Sequence, residues 1–172
     1  MTSSPSPVTA SRALLATPVG VIAVDSDGLA VVGISWQDGS SPHTEAASDP
    51  VLTEAIRQLR AYFGGSLIEF DLPVCLDRLS GAARAVLTAL QREVAHGQTI
   101  TYGELAALSG TRMSARGVGT IMGCNPVPLV IPCHRVVAGD GLGGYSGGAH
   151  GQGLSTKRWL LEFEGALPPT LF

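Results

Sequence analysis

The chain has 172 residues, 45% hydrophobic and only 15% charged. At roughly 100–200 residues per domain that is one compact unit or two small ones, apolar enough to exclude wholesale disorder. A formal net charge of −3 argues against a general polyanion binder, and no apolar run approaches the roughly 20 residues of a membrane span, so a soluble protein with no membrane partner is expected.

In chain order, residues 1–12 read as a flexible tail. ALLATPVGVIAVDSDGLAVVGISW alternates apolar runs with a turn at Ser26-Asp27-Gly28, the pattern of an antiparallel hairpin. Residues 37–50 are a polar loop rich in Ser, Asp and Pro. VLTEAIRQLRAYFGG sets Leu52, Ile56, Leu59 and Phe63 at helical spacing and stops at Gly64-Gly65. IEFDLPVCL follows as a short strand or extended linker.

The second half is helical. SGAARAVLTALQREVA carries Val86, Leu87, Leu90 and Val94 on one face, closed by Gly97. Thr101 and Glu104 have capping-box spacing at the start of YGELAALSG, and Ser114 opens a third helix through MSARGVGTIMGC. Two short helices about Gly110-Thr111 match a helix-turn-helix, and match an ordinary helical hairpin of a core as well. Pro126 and Pro128 end that helix, and LVIPCHRVV reads as a buried segment. GDGLGGYSGGAHGQG is a glycine-rich loop, and LSTKRWLLEFEG a terminal amphipathic helix.

Charge is unevenly spread. Residues 1–77 carry three Arg against nine acids, residues 78–135 six Arg against Glu93 and Glu104, and the remainder two cations against three acids. A basic middle third suits a local footprint for a polyanion, although uneven surface charge would look the same. Three cysteines, Cys75, Cys124 and Cys133, cannot all pair and match no zinc spacing, so a reducing, cytoplasmic setting without metal is expected.

Pro132-Cys133-His134-Arg135 is the sharpest chemical signal. A cysteine among apolar residues is commonly an inert buried thiol. Adjacent His134 and Arg135, and a carboxylate at Glu164, instead offer the base and the positive field that a nucleophilic thiol needs. Both readings stand on the residues alone. Arg116 lies in the first turn of the candidate recognition helix, beside small Ala115 and Gly119, which suits either close approach to a DNA groove or tight helix packing. Tyr102 opens the preceding helix, where a phenol can meet a phosphate or simply fill the core.

ITYGELAALSG, ARGVG, GCNPVPLVIPCHRVV, GGYSGG and KRWLLEFEG together resemble the O6-alkylguanine-DNA alkyltransferases, also called methylated-DNA–protein-cysteine methyltransferases. The likeness is strong over residues 80–165 and one of layout before that. It implies an α+β chain: a small RNase H-like domain of antiparallel sheet plus helix over 13–75, then a helical DNA-binding and alkyl-acceptor domain over 76–172. It implies DNA repair by direct reversal. A methyl or small alkyl group leaves O6 of guanine, or O4 of thymine, for Cys133 in one irreversible event, with no cofactor.

Residue by residue, the resemblance makes His134 the water-mediated base, with Glu164 orienting it and Asn125 holding the turn before the nucleophile. It places Arg116 as the finger that fills the gap left by a flipped base, and Tyr102 at the 3′ phosphate. Pro128, Tyr145 and Ser146 would border the guanine, backbone groups of Cys133 and Val136 would read its amino group, and Ala115, Gly119 and Arg135 would complete the DNA contacts. A monomer that clusters on double-stranded DNA is implied.

Departures touch AARAVL (Ala82 to Leu87), the stretch Val94-Ala95-His96-Gly97, and the inserted loop at 149–153. Cys124 reads as a second reactive thiol or, with more weight, as a small core residue. Competing functions are a lesion-binding protein without chemistry, a helix-turn-helix transcription regulator, and a Cys-His hydrolase.

Overall fold

The structure, a computed structural model, describes residues 10–39 and 48–169. Most of the expected tail, 1–9, and the middle of the polar loop, 40–47, lie outside the described residues. Three strands, β1 (Ser11–Thr17), β2 (Gly20–Ser26) and β3 (Val31–Gln37), form an antiparallel sheet in the order β1-β2-β3. The first strand thus begins at Ser11, so Ser11 and Arg12 belong to the sheet and not to a tail. Arg12 donates to Asp25 opposite it, Nε to Oδ1 at 2.6 Å. Leu15 pairs with Ile22 and Val24 with Ile34, which buries this face; Ile22 and Val24 are fully enclosed.

Helix α1 (Pro50–Phe63) covers that sheet. Asp49 caps it by accepting from the Leu52 amide at 3.0 Å, and Pro50 occupies the first turn, where its missing N–H costs nothing. Leu52, Ile56 and Leu59 point inward as their spacing predicts, but Tyr62 rather than Phe63 is fully buried in the last turn. Gln58 clamps the helix to the following extended segment, donating to the Asp71 carbonyl and accepting from its amide, both at 2.9 Å. That segment touches the sheet through one parallel bridge, Val31 to Val74.

Ser80 caps α2 (Gly81–Glu93), which lays Val86, Leu87 and Leu90 against the remaining helices. Thr101 and Glu104 form the expected capping box at α3 (Tyr102–Leu108), and Ser114 caps α4 (Ala115–Gly123). These two short helices pack on each other in the helix-turn-helix arrangement. Behind them, β4 (Ile100–Thr101) pairs in parallel with β5 (Val136–Val137), and α5 (Gly153–Phe163) closes the molecule. One apolar core runs through both halves, from Ile22 and Leu59 to Leu90, Val118 and Leu160. Among the described residues no helix is long and apolar enough to cross a membrane.

Candidate active site

Local backbone chemistry delivers the cysteine to its place. After α4 the chain turns sharply through 125–131. Asn125 holds the turn from inside, its Nδ2 donating to the Ile131 carbonyl at 2.9 Å and its Oδ1 accepting from the Val127 amide at 3.1 Å. Leu129 sits in the left-handed region at φ 74° with its side chain buried, a costly conformation that the surrounding packing must hold. The chain then enters a short 3-10 turn, Cys133–Arg135, with all three side chains buried.

Behind the cysteine lies a closed polar network. His134 Nε2 is 2.8 Å from Glu164 Oε1. An ionised carboxylate only accepts, so Nε2 carries the proton and Nδ1 presents its lone pair. Nδ1 is buried and has no hydrogen-bond partner among the described residues. Arg135 grips the same carboxylate with Nε on Oε2 at 2.8 Å and Nη2 on Oε1 at 3.0 Å, while Nη1 donates to the Val94 carbonyl at 2.8 Å. Burial alone would push Glu164 up, but the bonds from His134 and Arg135 outweigh it and hold the carboxyl well below the usual range. Burial pushes His134 down against the pull of Glu164, so the imidazole is neutral at pH 7.

Burial also pushes the Cys133 thiol up, opposed by a hydrogen bond from Asn125 and by the charge of Lys157. The Cys133 thiol is therefore protonated at rest, and the next residue carries a basic nitrogen, Nδ1.

A cavity of about 270 Å³ opens at Cys133, walled by Tyr102, Gly119, Met122, Gly123, Gly144, Tyr145 and Ser146. Tyr102 reaches it from the first turn of α3, and its hydroxyl donates weakly to the Gly144 carbonyl at 3.4 Å. Gly143 makes this possible: its φ is 70°, and a Cβ there would meet the Tyr102 ring at 2.8 Å. Tyr145 packs edge-on against Trp36 of β3, with ring centroids 6.2 Å apart. Ala115 and Arg116 are exposed at the start of α4, on the helix whose Gly119 faces the cavity.

The structure thus brings Cys133, His134, Glu164, Asn125, Tyr102, Gly119, Tyr145 and Ser146 together. Three expectations need correction. Arg135 is buried in its ion pair with Glu164, so its guanidinium is turned inward and not presented to DNA. Pro128 is buried in the turn and contributes nothing to the cavity wall. Cys124 is exposed at the end of α4 rather than packed in the core. Val136 is fully buried, and its carbonyl accepts from Lys157 Nζ at 2.6 Å with a second lone pair left over. Among the described residues no cluster of His, Cys, Asp or Glu could hold a metal ion.

The model of the 6-O-methylguanine DNA methyltransferase DNA binding domain matches residues 81–166, and that of the ribonuclease-like domain of the same proteins matches 11–76. The chain belongs to the 6-O-methylguanine DNA methyltransferase family. Relatives include the methylated-DNA–protein-cysteine methyltransferase of Rattus norvegicus, 34% identical across 88% of this chain and 80% of the relative. That of Mycobacterium tuberculosis is 35% identical across 91% and 94%. The crystal structure of Mycobacterium tuberculosis O6-methylguanine methyltransferase superposes with a TM-score of 0.76 at 29% identity, covering 94% of this chain and 96% of that one. A structure of the mycobacterial protein in complex with DNA superposes at 0.73 with 34% identity, over 89% and 91%.

Two side chains of this family member carry parts of the site that sequence reasoning missed. Lys157 is fully buried; besides Val136 it bonds the Gly144 carbonyl at 2.9 Å, tying β5 to the loop that walls the cavity. Burial lowers it to about 8, with Cys133 pulling the other way. Tyr62 of α1 donates to Glu164 Oε1 at 2.8 Å. Lys157 had a signal, a lone lysine on the apolar face of a terminal helix, whereas Tyr62 had only its place in the α1 pattern. Residues 149–152 make a tight turn, the Gln152 amide on the Ala149 carbonyl at 2.8 Å, just before α5. Gly153 follows because a Cβ there would meet the Tyr145 carbonyl at 2.6 Å.

Proposed function

We propose that this protein repairs alkylated duplex DNA by taking a methyl or small alkyl group from O6 of guanine onto Cys133, once per molecule. The observation that carries this reading is the Cys133 wall of a base-sized cavity, backed by His134 with a free Nδ1. The target atom is inaccessible within the base stack, so the nucleotide rotates out into the cavity, at a cost of a few kcal/mol that weakened pairing reduces. Arg116, exposed on α4, fills the vacated space.

Cys133 Sγ then attacks the alkyl carbon in line with the departing oxygen. The S–C bond forms as the C–O6 bond breaks, and its electron pair leaves with guanine. The thiol proton passes toward Nδ1 of His134, directly or through one water, and guanine regains a proton at N1. Glu164 stabilises the imidazolium formed in passing. A sulfur nucleophile suits this step because the alkyl carbon is a soft electrophile. The thioether has no route back, so each molecule acts once. O4 of thymine presents the same alkyl ether in the same geometry and is a second substrate of this reading. A monomer working on cytoplasmic or nucleoid DNA completes it.

Intact mass before and after incubation with a duplex holding one O6-methylguanine tests the reading. One methyl group on Cys133, absent with undamaged DNA and with Cys133→Ala, is expected. Tight lesion binding without a mass change would overturn the transfer reading in favour of a lesion sensor.

A further inference from the structure

Glu164 is the hub of the buried network, and one of its donors comes from the opposite half of the molecule. We propose that Tyr62, on the last turn of α1, is a positioning residue for the transfer reaction: its hydroxyl shares the Glu164 oxygen that holds His134 and so sets how strongly that carboxylate draws the imidazole proton. This rests on the reading of Cys133 as the alkyl acceptor and adds to it a contribution from the ribonuclease-like half.

The geometry is specific. Tyr62 Oη donates to Glu164 Oε1 at 2.8 Å, and His134 Nε2 meets the same atom at 2.8 Å. Arg135 Nη2 adds a third donor at 3.0 Å, whereas Oε2 is left to Arg135 Nε. Oε1 is thus shared three ways, and each donor takes a fraction of the charge that would otherwise bind the His134 proton.

The tyrosine has little freedom to leave. Its ring is 1% exposed and caged by Phe63, Phe70 and Phe163, at centroid distances of 5.0, 5.3 and 5.6 Å, with His96 at 6.4 Å. The helix that carries it is anchored by the Asp49 cap and by the Gln58 clamp on Asp71. Burial and the neighbouring Glu164 charge push the Tyr62 hydroxyl far above its ordinary value, so it remains a donor at every working pH. The other ionisable groups that act on this cluster are Lys157 from α5, Tyr145 from the cavity loop and Cys133 itself. Tyr145 Oη is buried without a partner, so Tyr62, not Tyr145, is the tyrosine bonded to the hub.

The test is Tyr62→Phe, read by NMR titration of the His134 imidazole and by single-turnover methyl transfer across pH 5–9. Removing the hydroxyl leaves more charge on Oε1 for the imidazolium. The His134 midpoint is expected to rise by about 0.5 pH, and the acid limb of the transfer rate to move up with it. Phe70→Leu loosens the cage but keeps the hydroxyl, and is expected to lower the unfolding midpoint without moving either titration. A His134 midpoint unchanged in Tyr62→Phe, or shifted equally by Phe70→Leu, overturns the proposal. A shifted midpoint with an unshifted rate profile also overturns it, because the link then stops short of the reaction. If the native protein transfers no methyl group at all, the reading of Cys133 fails and the proposal falls with it; the NMR titration then identifies that failure as distinct from loss of the Tyr62 link.

Discussion

Arg135 and Glu164 form a two-pronged ion pair in the interior, Nε to Oε2 at 2.8 Å and Nη2 to Oε1 at 3.0 Å, with both side chains almost fully enclosed. The pair neutralises a carboxylate that His134 also bonds, so the charge of Arg135 is spent inside the protein. In Arg135→Met the carboxylate loses its countercharge inside the protein. A loss of about 3–5 kcal/mol is expected by urea unfolding. The salt dependence of DNA binding by the folded fraction is expected to be unchanged; a smaller slope would mean that Arg135 meets phosphate after all.

Acid should destabilise the fold in two stages. The folded-state values of His134 and Glu164 both lie below their ordinary ones, so the unfolded chain binds the extra protons more readily. Stability is then complete above about pH 6.5, declines below it as the unfolded chain takes up the His134 proton, and declines further below about pH 4.5 through Glu164. Urea unfolding between pH 7.5 and 3.5 checks the sign. In Glu164→Gln the stability is lower at pH 7.5 and the second stage shrinks to the part that Asp49, Glu54 and the other carboxylates held below their ordinary values contribute.

Asn125 closes the turn that leads to Cys133 and draws that thiol down against the effect of burial. Asn125→Ala leaves the Val127 amide without its partner and the Ile131 carbonyl with the Cys133 amide alone, and removes one group that favours the ionised thiol. A cost of about 1–3 kcal/mol and a transfer rate lower by at least roughly tenfold are expected. Stopped-flow transfer on a saturating methylated duplex separates the rate effect from weakened binding.

Arg116 stands exposed in the first turn of α4. If it fills the space of an extruded base, Arg116→Ala slows transfer from duplex DNA by roughly tenfold, the scale of losing part of a flipping cost of a few kcal/mol. Transfer from free O6-methylguanine, which needs no extrusion, should be unaffected. Equal slowing of both would place Arg116 in the chemistry.

Lys157 joins the Val136 and Gly144 carbonyls across the base of the cavity. Lys157→Met keeps the volume and removes the donor. It is expected to cost about 3 kcal/mol, because two carbonyls lose a charged partner in an enclosed place. Hydrogen exchange should quicken in 143–147 before anywhere else, since that loop has lost its tie to β5.

Much of this protein can be read locally. The capping box of Thr101 and Glu104, the Ser114 cap and the inward faces of α1 and α2 follow from side chains acting within a few residues of themselves. The cysteine stood out through its flanking motif, and Asn125 and Glu164 through the same resemblance. Tertiary structure decided the partners. Glu164 and Tyr62 are 102 residues apart, and nothing in either neighbourhood indicates the other. Arg135 looks like a DNA contact in sequence because arginines near active sites so often are; only the packing of α5 beside the 3-10 turn gives it a buried carboxylate. Cys124 was misjudged for the complementary reason: a helix end has no periodicity left to say which way it faces. Sequence by itself determined the elements, since hydrogen-bond capping and apolar spacing are short-range, and it singled out Cys133 through its motif. Which charges are enclosed, and therefore which atoms can hold a proton for Cys133, depends on surfaces that meet only when the two halves fold together.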